Sequence, residues 1–241
     1  MANYKAQGII LKRTNFSEAD RMLVIFTREF GKIKAIAKGV RKQNSRLGGN
    51  LELFCNTQLV LATGRNFDII TEAEIIESYL KTRKKLDLTH KAYYLAEVID
   101  KLTVEHVEHP EIFNLFTSVI EKIGAENSDL LLPYFEINML KNIGYEPELV
   151  KCQKCHTPVI AEGNKFDCEE GGLVCSNCQS LSDKVSADSI KILRIMLAGD
   201  ISLIERIKLN KKQITEVTRI ADNFIKHIHQ DEFKSRRFLK D

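Results

Sequence analysis

Five of the chain's six cysteines, Cys152, Cys155, Cys168, Cys175 and Cys178, fall within one short stretch, and Cys55 stands alone. Four of the five form two knuckles, Cys152-x2-Cys155 and Cys175-x2-Cys178, with nineteen residues between them. A C-x2-C turn aims two thiolates at one point, and two such turns supply the tetrahedral sulfur set that zinc prefers. Four thiolates leave no coordination position for water, so the expected cofactor is structural Zn2+ and not a catalytic metal. Lys151 and Lys154 stand beside the ligands and offset the negative charge of such a centre. Between the knuckles the pattern predicts a hairpin, with strands Lys165-Phe166-Asp167-Cys168 and Leu173-Val174-Cys175 joined across Glu169-Glu170-Gly171-Gly172. The whole reads as a zinc ribbon. Cys168, outside either knuckle, reads as a small packing residue, and His156, directly after a ligand, as a ring facing solvent.

Catalytic readings are weaker. Zinc deaminases use H-x-E followed later by P-C-x-x-C, and His106-Val107-Glu108 precedes Cys152 here. No proline precedes Cys152, however, and the segment beside His109 and Pro110 reads as a polar helix end. Walker, G-x-G-x-x-G, H-E-x-x-H and G-x-S-x-G motifs are missing from the sequence. Glu18, Asp20 and Asp68 could share a metal only through tertiary proximity.

A second cluster is cationic. Residues 1–46 hold eleven Lys or Arg against three acids, a balance of +8 that leaves −5 for the remaining 195 residues. Lys34, Lys38, Arg41, Lys42 and Arg46 lie within thirteen residues without an acid among them. Clustered cations release counterions from a phosphate backbone, which points to a polyanion partner read without regard to sequence. Strand alternation puts Lys34 and Lys38 on one side, roughly 13 Å apart, with the other three in the adjoining loop.

These clusters need elements to hold them. Residues 4–76 read as β-rich: Gly8–Arg13, Met22–Thr27, Lys32–Lys38, Gln58–Ala62 and Phe67–Thr71, with a hairpin turn at Thr63-Gly64-Arg65-Asn66. Five short strands with glycine-bearing turns fit a small barrel of the OB-fold type. From about residue 80 the period becomes helical, through Ala92, Leu95, Ile99 and Leu102, then Ile112 to Ile123, then a helix capped by Ser128 and running to Gly144. Ile190, Leu193 and Leu197, then Ile214 to Ile228, continue it. The predicted class is α+β: an OB-fold nucleic-acid-binding domain over 1–79 and a helical domain over 80–241 with the zinc-binding insertion at about 150–180. With 241 residues, 44% of them apolar and 29% charged, the chain can bury such cores. It shows no signal peptide and no membrane-length apolar run, so the expected location is cytoplasmic.

Taken in order, these features resemble the bacterial RecO family of recombination mediators. Gly8-Ile9-Ile10-Leu11, Glu18-Ala19-Asp20-Arg21 and Thr27-Arg28-Glu29-Phe30-Gly31-Lys32 follow that family's opening, G-I-V-L, G-E-x-D and T-x-x-x-G-K. Lys38-Gly39-Val40-Arg41 with Ser45-Arg46-Leu47-Gly48-Gly49, the Gly171-Gly172-Leu173-Val174-Cys175 approach, and Lys234-Ser235 with Phe238-Leu239 are also similar. Ser17 departs from a common glycine and Cys168 from a common serine, which leaves open which four cysteines hold the metal. The resemblance implies a non-enzymatic, nucleoid-associated protein of homologous recombination repair. Such a protein binds single- and double-stranded DNA, anneals strands, joins RecR, and helps RecA load onto DNA coated by single-strand binding protein. It also implies that the helical body takes the acidic, apolar-ended C-terminal tail of single-strand binding protein, with stripes around Leu95, Ile99 and Phe116, or a last helix with Lys226, Arg236 and Arg237, to supply a groove. A zinc-dependent nucleic-acid enzyme and a general OB-fold RNA- or DNA-binding module are the alternatives.

Overall fold

Alternation along the strand Gly31–Ala37 turns Ile33, Ala35 and Ala37 to one side, and these buried side chains help fill a closed five-stranded barrel. In the computed structural model, which describes residues 2–125, 128–160 and 162–239, the barrel comprises β1 (Asn3–Asn15), β2 (Arg21–Thr27), β3 (Gly31–Ala37), β4 (Asn56–Ala62) and β5 (Asp68–Glu77). The order around the barrel is β1-β2-β3-β5-β4, closed by β4 on β1, with β3 and β5 parallel and the other pairs antiparallel. This is the expected OB-fold. The run Met22–Phe26 is apolar without alternation because the strand is covered on both faces: Leu23 and Ile25 join the barrel core, while the buried Phe26 stacks on Phe113, with centroids 6.4 Å apart. The parallel pairing of β3 with β5 covers only Ala35 and Ile36, so Lys32 near the strand's start finds another neighbour, described below.

The barrel belongs to a compact unit of residues 1–121 and 233–241. Its helices are α1 (Leu80–Lys84), α2 (Leu86–Leu102) and α3 (Pro110–Lys122), whose last residue falls outside the unit's bounds. Pro110 suits the first turn of α3, where its missing N–H is no loss. Leu95, Ile99 and Phe116 are fully buried, so these positions are core and offer no groove. A 3-10 turn over Lys234–Phe238 lies on α2: Glu97 accepts hydrogen bonds from the Lys234 and Ser235 backbone N–H groups at 2.9 and 2.7 Å and from the Ser235 hydroxyl.

The second compact unit, residues 122–232, contains α4 (Leu131–Asn142), the cysteine-bearing ribbon, α5 (Ala187–Leu197), α6 (Ile201–Arg206) and α7 (Lys211–His229). α4 is buried along nearly its whole length and packs on α5 and α7. Asn138 donates to the Met196 carbonyl at 2.9 Å, and the Tyr134 hydroxyl to the Gly199 carbonyl at 2.7 Å. A reciprocal Asn210 and Gln213 capping box starts α7.

Several expectations need adjustment. Ser128 begins a 3-10 turn, Ser128–Leu130, ahead of α4 and does not cap the helix directly. His106-Val107-Glu108 is not a helix end, because α2 stops at Leu102 and Glu105 pairs with Lys32 as an isolated bridge, with His106 at φ +61°. Arg236 and Arg237 do not share a helix with Lys226: α7 ends at His229, and the two arginines lie in the 3-10 turn of the other unit. Among the described residues, no helix is long and apolar enough to cross a membrane.

Candidate nucleic-acid interface and metal centre

Of the five singled-out cations, Lys34 is the only one on a strand, Lys38 is the first residue beyond β3, and Arg41, Lys42 and Arg46 lie in the loop before β4. Lys38, Arg41, Lys42 and Arg46 are exposed, and Lys34 is half-buried. The loop is tethered at both ends. Val40 and Leu51 are buried in the barrel core, and a 3-10 turn over Gly48–Leu51 closes the segment. Asn50 donates to the Ala73 carbonyl on β5 at 2.8 Å and accepts at its own carbonyl from the Thr57 hydroxyl at 3.0 Å.

Asp20, at the end of the β1–β2 loop, organises the other side. Its carboxylate accepts from the Gly39 N–H at 2.8 Å, while the Arg41 N–H donates to the Ala19 carbonyl at 3.0 Å and the Arg41 guanidinium to the Ser17 carbonyl at 3.2 Å. The Gly39 N–H, helped by Ser17 and the charges of Lys38 and Lys42, holds the Asp20 carboxyl below its ordinary range. Asp20 is therefore an anionic fastener that reaches from the β1–β2 loop to the start of the cationic loop, and the cations of that loop sit on a preset backbone.

Lys34 is engaged differently. Its ammonium pairs with the Glu105 carboxylate at 2.5 Å, both side chains being about two-fifths exposed. The same contact, with help from Lys32 and His106, keeps the Glu105 carboxyl below its usual range. Next to it Lys32, 6% exposed, donates to the Asp100 and Thr103 carbonyls, the latter at 2.9 Å, and pairs with the Asp100 carboxylate at 3.2 Å. A buried ammonium with three oxygen partners is a structural staple between β3 and the end of α2, with no donor to spare for a ligand.

The four knuckle cysteines converge as their spacing predicts. Cys152, Cys155, Cys175 and Cys178 place their sulfurs within 4.8 Å of one another, and Cys155 Sγ lies 3.7 Å from Cys175 Sγ. Four sulfurs around one zinc at about 2.3 Å would stand about 3.8 Å apart, so the cluster has the dimensions the ion requires. The hairpin between the knuckles consists of β6 (Lys165–Asp167) and β7 (Gly172–Val174), with Lys165 opposite Val174. It is one residue shorter at its first strand than expected: Cys168 starts the turn, which Asp167 fastens by accepting from the Glu169 and Glu170 N–H groups at 3.1 and 3.4 Å. Gly172 sits against backbone, where a Cβ would come within 2.4 Å of the Glu148 carbonyl oxygen, and Glu148 exchanges hydrogen bonds with Gly171 and Leu173.

Thiol electrostatics sort the cysteines. Burial raises the Cys152 pKa, but the N–H groups of Cys155, Cys175 and Lys154 outweigh it and bring the thiol down to about 6. The Thr157 hydroxyl and N–H lower Cys155. Cys178 is pushed up to about 12 by its contacts with Cys155 and Cys175, since a further thiolate is resisted where others already gather. A divalent cation removes that resistance. Cys168 stands outside the cluster, raised to about 11 by burial and the Asp167 carboxylate, and His156, exposed at φ +58°, closes the first knuckle's turn. Lys154 is partly spent on Glu170 at 3.4 Å and the Gln179 carbonyl at 2.8 Å. Glu18, Asp20 and Asp68 form no metal-holding group among the described residues: Asp20 fastens Gly39, and Asp68 accepts from the Tyr4 hydroxyl at 2.5 Å and the Gly64 N–H at 3.1 Å.

Residues 1–79 match the family model described as the N terminal of recombination protein O, and residues 83–237 match that of its C terminal. The chain belongs to the RecO family. The DNA repair protein RecO of Dehalococcoides mccartyi (strain ATCC BAA-2266 / KCTC 15142 / 195) is 35% identical over 240 residues, which is 98% of this chain and 95% of that protein. DNA repair protein RecO of Roseiflexus sp. (strain RS-1) is 30% identical over 99% of this chain and 85% of its own length, and that of Desulfitobacterium hafniense (strain DSM 10664 / DCB-2) is 32% identical over 91% and 84%.

For this RecO-family chain, charge counting alone could not separate Lys32 from Lys34, nor foresee that Glu105, seventy-one residues further on, would meet the latter. The one sequence signal for Lys32 is its place in the T-x-x-x-G-K motif, where a cation directly after a left-handed glycine, Gly31 at φ +63°, is fixed in position by the turn.

Proposed function

We propose that the chain is a non-enzymatic mediator of homologous recombination repair. On this reading it binds single- and double-stranded DNA, anneals complementary strands and, with RecR, assists RecA to load onto DNA coated by single-strand binding protein. The observation that carries the proposal is the tethered cationic loop on an OB-fold barrel, with Lys38, Arg41, Lys42 and Arg46 exposed, in a chain of the RecO family. Phosphate contacts from flexible cations on a fixed loop position DNA without reading its sequence, which suits a protein that must act wherever damage lies.

The proposed division of labour gives nucleic-acid binding to the barrel of residues 1–79, and leaves to 80–241 the helices, which the two compact units share, and the zinc-binding insertion. Cys152, Cys155, Cys175 and Cys178 would hold one Zn2+, which ties the two knuckles together and supplies folding energy to the ribbon, no ligand position being left for a reactant. RecR, RecA and the tail of single-strand binding protein are taken as partners on family membership, and the protein as cytoplasmic and nucleoid-associated. The test is strand annealing: purified protein should accelerate pairing of complementary oligonucleotides coated with single-strand binding protein. No acceleration over the coated strands alone would refute the mediator reading.

A further inference from the structure

Two aromatic side chains stand at the end of the barrel that carries the cationic loop. Phe16 begins the β1–β2 loop and is 51% exposed, so much of its ring is open to a ligand. Phe67 lies directly before β5, in the β4–β5 loop, and the two ring centroids are 6.4 Å apart at an interplanar angle of 74°. An edge-to-face pair uses the edge of one ring, so the partner does not cover both faces of either.

Both loops are held. The Phe16 N–H donates to the Asp20 carbonyl at 3.2 Å, and Asp20 in turn fastens Gly39. On the other side the Gly64 N–H donates to Asp68 at 3.1 Å, and Gly64 packs so closely that a Cβ would lie 2.0 Å from the Phe67 carbonyl oxygen. Asp68 is opposite Ala35 on β3, and Arg21, which follows the Phe16 loop, is opposite Ala37. The aromatic pair and the cations of residues 38–42 are thus fastened to the same end of one barrel, Phe16 and the cations through the β1–β2 loop and Phe67 through the start of β5.

We infer that Phe16, backed by Phe67, is a base-stacking platform that gives the barrel its grip on single-stranded DNA. This deepens the DNA-binding reading and rests on it. A base presents a π-face only where it is unstacked, so a stacking ring rewards single strands and leaves duplex binding to the cations. Charge complementarity selects the occupant: Phe16 is half exposed in a loop whose Ser17 carbonyl receives the Arg41 guanidinium and whose Asp20 feels the charges of Lys38 and Lys42, and Arg65 is exposed in the Phe67 loop, a setting that suits a ligand flat and apolar on its faces and anionic along its backbone.

The test compares full-length wild type, F16A and F16W for binding to oligo-dT and to a duplex of equal length across a salt series. F16A should lose about tenfold or more in affinity for the single strand. Duplex affinity and both salt slopes should stay close to wild type, since no cation has been removed. F16W should restore single-strand affinity, and because the chain has no tryptophan, its emission should be quenched when oligo-dT binds. Single-strand affinity unchanged in F16A, or single-strand and duplex affinity lost in equal measure, would overturn the stacking role while leaving barrel binding intact. Failure of the wild type to bind either form would overturn the barrel reading itself.

Discussion

Replacing Glu105 with Gln should tighten DNA binding. The Glu105 carboxylate holds the Lys34 ammonium at 2.5 Å, and it is kept in place by the pairing of its backbone with Lys32, where the His106 N–H donates to the Lys32 carbonyl at 3.0 Å. A phosphate that reaches Lys34 must displace this carboxylate. With each side chain about two-fifths exposed, solvent screens the pair, and its worth is that of an exposed ion pair, about 0.2–1 kcal/mol. Removing the competition should therefore raise affinity by up to about fivefold at low salt. It should also steepen the salt dependence by roughly 0.7 to 0.9 of a counterion, depending on strand state, as one more cation becomes available. Fluorescence anisotropy with a labelled oligonucleotide across a salt series measures both quantities. K34Q should weaken binding modestly, and adding E105Q to K34Q should restore much less than E105Q gains alone. An E105Q protein whose affinity and slope match the wild type would refute the claim that Lys34 faces the ligand. Equal gains from E105Q with and without Lys34 would show that the acid acts on the general field alone.

Joint neutralisation of Arg41, Lys42 and Arg46 by Gln should weaken binding to all sequences alike and lower the salt slope by roughly two to three, with melting temperature little changed because these side chains are exposed. Purified protein should hold about one equivalent of zinc: C178S should lose it and C168S should keep it, as metal analysis of each variant would show, and chelation should raise hydrogen exchange through residues 148–180. Glu97 is pushed up by burial but held below the usual carboxylate range overall by hydrogen bonds from Ser235 and Lys234. Because its folded pKa is depressed, the fastening is fully present above its ordinary pKa and is lost as the pH falls through the folded value. E97Q should accordingly loosen residues 234–238 at neutral pH, read as faster exchange there, and flatten the acid limb of the stability profile.

How much of this was legible in the sequence follows from the range of the interactions concerned. The knuckle spacing named all four clustered cysteines, because a C-x2-C turn fixes its own geometry within four residues. The alternation of Ile33, Ala35 and Ala37 and the helical stripe through Leu95 and Ile99 translated directly into buried positions, since burial enforces the period. β1 and β5 ran longer than expected, to Asn3–Asn15 and Asp68–Glu77, because pairing partners sustain a strand through residues whose own pattern is weak. The short helices Leu80–Lys84 and Ile201–Arg206 escaped notice, five or six residues being too few to show a period. Lys32, Glu105 and Glu97 were opaque for a different reason: each owes its role to a partner about 70 to 140 residues away, which no local pattern encodes. Phe16 carries no local signal either, because its neighbour Phe67 is fifty-one residues away and the Gly39 turn reaches its loop only through Asp20.

The most direct test of where DNA engages is hydrogen exchange of the full-length protein with and without a saturating single-stranded oligonucleotide. Protection should appear in residues 16–21, 38–46 and 63–68, the three segments at one end of the barrel, and fade as salt is raised. Protection confined to 122–232, with those three segments exchanging as in the free protein, would contradict DNA binding by the barrel.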